Sequence, residues 1–236
     1  MKLTQEVNVR TASLMAAILL LGCGGQQPVP SRAEDYSPMA AGYEWKYATT
    51  DISYLDSVRA ETTANTSSSE FRFVGRAKMP NGKEAWAQHR HIRYYNKSEQ
   101  ARVRRDMVMW ITDTIFADRL DSLILYWSVR DFDHPSTELV LPLKPGRYWS
   151  VSAGRPCTTW AKAIRQEPVK VPAGEYAQAW RVEDSTAFPD GKTPPARSVR
   201  WYAAGVGMVR METESRRADG TRWRQVVELV SAKTGR

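Results

Sequence analysis

Cysteine and histidine are scarce in this sequence: its 236 residues hold two of the first and three of the second. Two cysteines, Cys23 and Cys157, cannot build a disulfide framework, so a folded domain has to rest on its core. His89 and His91 stand two positions apart, which on a strand puts both on one face, with His134 as the third. No carboxylate or cysteine stands at a confirming spacing, and Arg90 and Arg93 nearby work against a cation, so no metal site is expected. The Gly-x-Ser-x-Gly elbow, the phosphate loop and the dinucleotide fingerprint are all missing. Asp131, Asp133 and His134 have the residue types of an acid-base cluster but fall in an expected loop before Pro135. With no catalytic constellation and no cofactor motif, the chain reads as a non-enzyme.

The apolar stretch near the start is short. Thr11 to Leu21 is uncharged and rich in Leu, Ala, Met and Ile, and as a helix it would span roughly 17 Å against a hydrocarbon core of about 30 Å. Lys2 and Arg10 precede it, which is the layout of an export signal and not of a permanent span. The stretch ends Leu20-Leu21-Gly22-Cys23, followed by Gly24-Gly-Gln-Gln-Pro28. This resembles the bacterial lipobox, which implies cleavage before Cys23, a diacylglyceryl group on its sulfur and further acylation such as palmitate. Two or more acyl chains hold a protein on a bilayer stably, each buried methylene contributing about 0.8 kcal/mol. Under that resemblance Cys157 is left without a partner and reads as a small buried residue. The expected organisation is a signal peptide over 1–22, a lipidated tether over 23–40 and one β domain over 41–232, divisible into halves 41–135 and 136–232. Gly24 lacks the Asp that commonly retains lipoproteins in an inner membrane, so the outer membrane is expected where a cell has two.

Charge is unbalanced toward the basic side, with 34 Lys and Arg against 26 Asp and Glu for a net +8. An exported basic protein meets lipid headgroups, lipopolysaccharide or cell-wall polymers, and nucleic acid is not an expected partner. The densest basic run, Arg102 to Arg105, would be divided between two faces if extended.

Beyond Gly42 the pattern is that of strands. Tyr43, Trp45 and Tyr47 alternate with Glu44 and Lys46, the two-residue period of a half-buried strand. Comparable runs cover 70–77, 84–95, 107–112, 122–130, 148–153, 158–166, 176–183, 198–203, 208–214 and 222–230, with 113–120 ambiguous between helix and strand. Pro80-Asn-Gly-Lys83, Pro189-Asp-Gly-Lys192 and Ala218-Asp-Gly-Thr221 have turn chemistry. Regular short strands with such punctuation predict an all-β fold, an antiparallel curved sheet or partly open β-barrel. Pro38 to Trp45 and Pro142 to Trp149 repeat one pattern of Pro, Gly and Trp, which predicts two similar strand starts.

Four elements in order, Pro38 to Tyr47, Leu141 to Trp149, Val169 to Tyr176 and Trp201 to Arg210, resemble the TapB-like exported proteins of bacteria. Tyr176 stands where that family usually has Phe, and Arg210 where it usually has Lys. The resemblance implies a β-rich extracytoplasmic domain and brings no reaction with it.

Nine tryptophans and ten tyrosines remain to be placed. They either fill a core or line a concave face for an acyl chain or glycan, and the candidates for such a face are Tyr43, Trp45, Tyr47, Trp149, Tyr176, Trp180 and Trp201. The functional expectation is a lipid-anchored envelope protein whose domain binds or carries a lipid or glycan. The alternative is an interaction lipoprotein that docks an envelope protein.

Overall fold

The computed structural model describes residues 36–55, 60–96, 107–119, 122–126, 135–152, 157–189, 195–216 and 220–235. The signal segment, Cys23, most of the tether, Arg102 to Arg105 and the Asp131 to His134 cluster lie outside the described residues. Within them every secondary-structure element is a strand. In chain order these are β1 (Glu44–Leu55), β2 (Ala60–Lys78), β3 (Glu84–Asn96), β4 (Met107–Arg119), β5 (Ser122–Tyr126) and β6 (Ser136–Val140). They are followed by β7 (Tyr148–Ser152), β8 (Thr158–Val171), β9 (Gly174–Ala187), β10 (Ala196–Ala203), β11 (Gly207–Arg216) and β12 (Thr221–Lys233).

All twelve belong to one antiparallel sheet in the order β6-β5-β4-β3-β2-β1-β12-β11-β10-β9-β8-β7. Two six-stranded meanders thus lie side by side, joined by the ladder between β1 and β12. The sheet curls until its edge strands face each other. Among the described residues β6 and β7 share no ladder, and the Trp149 side chain bridges them, its Nε1 donating to the Thr137 carbonyl at 3.3 Å. The fold is therefore a curved sheet that stops short of a closed barrel.

Local chemistry explains the turns. In the hairpin between β2 and β3, Gly82 takes φ +84°, its N–H donates to the Met79 carbonyl, and the Asn81 side chain accepts from Lys83 N–H. That left-handed backbone is what the Asn-Gly pair accommodates. The two Pro/Gly/Trp segments make the same backbone bonds 104 positions apart. Gly42 N–H donates to Phe73 and Gly146 N–H to Ala163, both at 2.8 Å, while Phe73 and Ala163 return bonds to Tyr43 and Arg147. Each segment thereby hooks its strand, β1 or β7, onto the next strand of its own meander.

Several strands run beyond the sequence reading: β2, for one, starts ten residues earlier, at Ala60, and β8 goes on to Val171. β4 runs on to Arg119, so the ambiguous stretch is strand, with Ile115 and Ala117 alternating inward. β5 ends at Tyr126, and the expected strand residues 127–130 lie outside the described ones. β6 was not anticipated: only five residues long, it sits between Pro135 and Pro142 and pairs with β5.

The core is densest in the second meander. Ala161, Ala163 and Ala179 are fully buried on β8 and β9 beside Val182, Val209 and Leu229. The β8–β9 turn reaches β12, where Ala173 N–H bonds the Leu229 carbonyl at 2.9 Å. Full burial of each Val or Leu contributes about 1.5–3 kcal/mol.

Candidate functional site

The concave face encloses a cavity of about 410 Å³. Its walls come mainly from β1 to β5 and β10 to β12, with Glu138 of β6 and Val151 of β7 flanking the open seam, and no described residue of β8 lines it. Tyr36, Ser37 and Pro38 close the end where β1 begins. That size is within the range of about 300–1,000 Å³ usual for small-molecule sites.

The lining follows from the period of the strands. One row of ladder partners runs Tyr94, Ser67, Thr49, Val227, Met211, Arg200, each paired across to the next, and all six line the cavity. The composition changes along the strands. Toward the closed end stand Trp45 on β1, Phe73 on β2 and Tyr202 on β10, with the indole of Trp45 edge-on to Phe73 at 5.6 Å. One row beyond Arg200 the partners are Asp51, Gln225, Thr213, Ser198 and Asp184. Their side chains are already bonded in pairs, Gln225 to Asp51 at 2.8 Å and Ser198 to Thr213 at 2.9 Å. β3 runs in the same direction as β1, so Gln88 and Arg90, early in it, are nearer the Trp45 end, with the Arg90 guanidinium 5.3 Å over the Phe71 ring.

The charged wall centres on Arg200, which is only 5% exposed. Its guanidinium is held by Glu138 of β6 and, at 2.7 Å, by Asp184 of β9; the Tyr202 hydroxyl donates to the same Glu138 oxygen at 2.8 Å. Arg200 Nε is buried with no hydrogen-bond partner. Burial by itself favours a neutral arginine, but Glu138, Tyr202 and Asp184 outweigh it and hold the guanidinium firmly protonated. Asp184 is pushed above the ordinary aspartate range by burial and by Glu138, against the pull of Arg200. Burial also raises the Tyr202 and Tyr47 hydroxyls, so both stay protonated donors, Tyr47 to the Met208 carbonyl at 2.8 Å.

The seven aromatics singled out in the sequence take different places. Trp45 and Tyr47 line the cavity, and the Trp45 indole N–H donates to the Val206 carbonyl at 2.6 Å, in the β10–β11 turn where Gly205 and Gly207 both have positive φ. Trp149 and Trp180 are buried in the core, and Tyr43 and Tyr176 are half-buried against it. Trp201 belongs to the convex face, opposite its neighbours Arg200 and Tyr202 on β10. There its ring lies between Arg181 and Arg210, at 6.0 and 5.6 Å, and its Nε1 donates to Glu167 at 2.9 Å. His89 and His91 are exposed on β3, and no group of three metal-ligating side chains occurs among the described residues. Cys157 is half-buried, not enclosed.

Sequence reasoning passed over Arg200, Glu138 and Asp184. One signal was present: Trp180, Val182 and Asp184 continue a single alternation, so the carboxylate stands at an inward position.

No family model matches the chain, and no curated protein matches it. The TapB-like resemblance thus rests on its four motifs. Among solved structures, the chain is similar to a protein from Bacteroides fragilis described as exported and of YmcC-like fold. That match has 13% identity, covers 85% of this chain and 99% of that one, and has a TM-score of 0.41. It is also similar to a protein from Parabacteroides distasonis described as a lipoprotein, at 14% identity over 84% of this chain and 98% of that one, with a TM-score of 0.38.

Proposed function

We propose that this chain is a lipid-anchored envelope lipoprotein, fastened through Cys23 on the extracytoplasmic side of the outer membrane, whose β domain binds or carries a ligand and performs no catalysis. The observation that carries the binding part is the cavity of about 410 Å³ on the concave face, with aromatic rings at one end and buried charge at the other. A lipid or a glycan presents the apolar surface that such rings take up. The anchor is supported by the charged start, the short apolar stretch and Gly22-Cys23 in the sequence.

Native mass spectrometry of the protein extracted from envelopes tests the ligand. A co-purified small molecule, lost on widening the side chains at Thr49 and Ser67, is the expected result, and a chain that is bare under all extraction conditions counts against it. Cys23→Ala should move the protein from the membrane fraction to the soluble fraction.

A second reading, docking of an envelope protein, is favoured by one feature of the outer surface. Tyr148 and Trp160, 59% and 40% exposed, stack with ring centroids 5.0 Å apart beside the β7 edge. Exposed stacked aromatics are frequent anchors at interfaces. A photo-crosslinker at position 160 that captured one partner in cells would support this reading.

A further inference from the structure

Two pairs of hydroxyls that face each other across ladders of this sheet bond each other, Ser198 with Thr213 and Thr159 with Thr186, both at 2.9 Å. Thr49 and Ser67 face each other in the same way across β1 and β2, yet neither side chain has a hydrogen bond among the described residues. Ser69, the next residue of β2 on the same face, has none either. All three line the cavity, and Thr49 and Ser69 are each only 8% exposed. A hydroxyl withdrawn from water without a partner costs free energy, and a molecule bound in the cavity can supply the missing bonds.

The surroundings restrict what that molecule is. Ile92 stands beside Ser69, Val227 beside Thr49 and Met211 beyond Val227, all of them in the cavity lining. Trp45 is four residues from Thr49 on the same strand, about 13 Å toward the closed end. Its indole N–H and the Tyr47 hydroxyl are both donated to backbone carbonyls, so their rings present apolar surface. A glycan carries a hydroxyl on nearly every carbon, and most of these would face the aliphatic side chains unpaired. A charged group on these hydroxyls would fare no better, because neutral hydroxyls compensate a buried charge poorly. We propose that the cavity holds a single aliphatic chain bearing one uncharged oxygen group, an ester or an alcohol, with the oxygen on Thr49, Ser67 and Ser69 and the chain running toward Trp45. This rests on the reading of the cavity as a ligand site and adds the ligand's polarity and its point of attachment.

The full chain carrying Cys23→Ser is titrated by calorimetry at neutral pH with 1-octanol, octanoate and maltose. Octanol is expected to bind about tenfold or more tightly than octanoate, and maltose not at all. Thr49→Val combined with Ser69→Ala is expected to weaken octanol about fivefold. The thermal midpoint of that variant should stay level or rise, since the bare protein loses no bond. Thr49→Ser keeps the hydroxyl and should bind octanol like the parent. Octanol binding untouched by the double variant, octanoate binding as tightly as octanol, or a double variant that is markedly less stable overturns the uncharged oxygen on these hydroxyls and leaves the cavity as a ligand site. Maltose binding in place of octanol overturns the aliphatic chain. Binding of none of the three overturns the ligand site itself.

Discussion

Glu138 and Arg200 meet across the interior, joining the last strand of the first meander to the fourth strand of the second. Sixty-two residues separate them in sequence, and no ladder connects their strands. With Asp184 and Tyr202 they form a buried polar cluster in a wall that is otherwise mostly apolar.

Removing the cation alone should be severe. Arg200→Met leaves two buried carboxylates without their counter-charge and is expected to cost about 3–5 kcal/mol, read as a shift of the urea midpoint. Adding Glu138→Gln and Asp184→Asn to the same chain should recover most of the loss. A triple variant no more stable than Arg200→Met would mean that the charges are not the cause.

The two hooked strand starts should respond alike. Gly42 and Gly146 have φ of +85° and +81°, and a Cβ on either would meet nothing within 4 Å. The cost of Gly42→Ala or Gly146→Ala is therefore backbone strain alone, about 1–2 kcal/mol each. Equal losses in thermal unfolding are expected, and a large loss at only one position would argue that the two segments differ in role.

Glu167 on the convex face gives a pH signature. Burial raises its carboxyl, but the bonds from Trp201 and Arg165 and the charge of Arg181 prevail, and the folded value lies below the ordinary 4.5. A lowered acid stabilises the fold above its unfolded value and loses that contribution as pH falls through the folded one. Trp201→Phe removes one donor, so the Glu167 resonance should titrate at higher pH and acid unfolding should begin earlier. An unchanged titration curve would refute the assignment.

Trp149→Phe tests the seam. The substitution removes both the bond to Thr137 and the second ring of a buried indole, for an expected cost of about 1–3 kcal/mol. Amide exchange should quicken in β6 and β7 and stay unchanged in the β1–β12 ladder. Uniform quickening would show a global loss instead.

The alternation of Tyr43, Trp45 and Tyr47 was enough to place β1, and Asn81-Gly82 enough to place its neighbour's hairpin, because one-sided burial and positive φ both leave marks in sequence. β6 left no such mark: Ser-Thr-Glu-Leu-Val is too short for a period to emerge between two prolines. The site was half legible. Trp45 and Tyr47 stood out as large rings on one face, whereas an arginine at an inward position looks like any surface arginine until its partners arrive. Arg200 is flanked by Val199 and Trp201, so neither face of β10 reads as the polar one.

The unpaired edges of β6 and β7 make the molecule behave like a book. The long β1–β12 ladder is its spine, the two meanders are its covers, and Glu138 on Arg200 is the clasp at the fore-edge. Spreading the covers there would widen the interior without breaking any ladder between the described strands, so the two halves can part while the spine stays sewn.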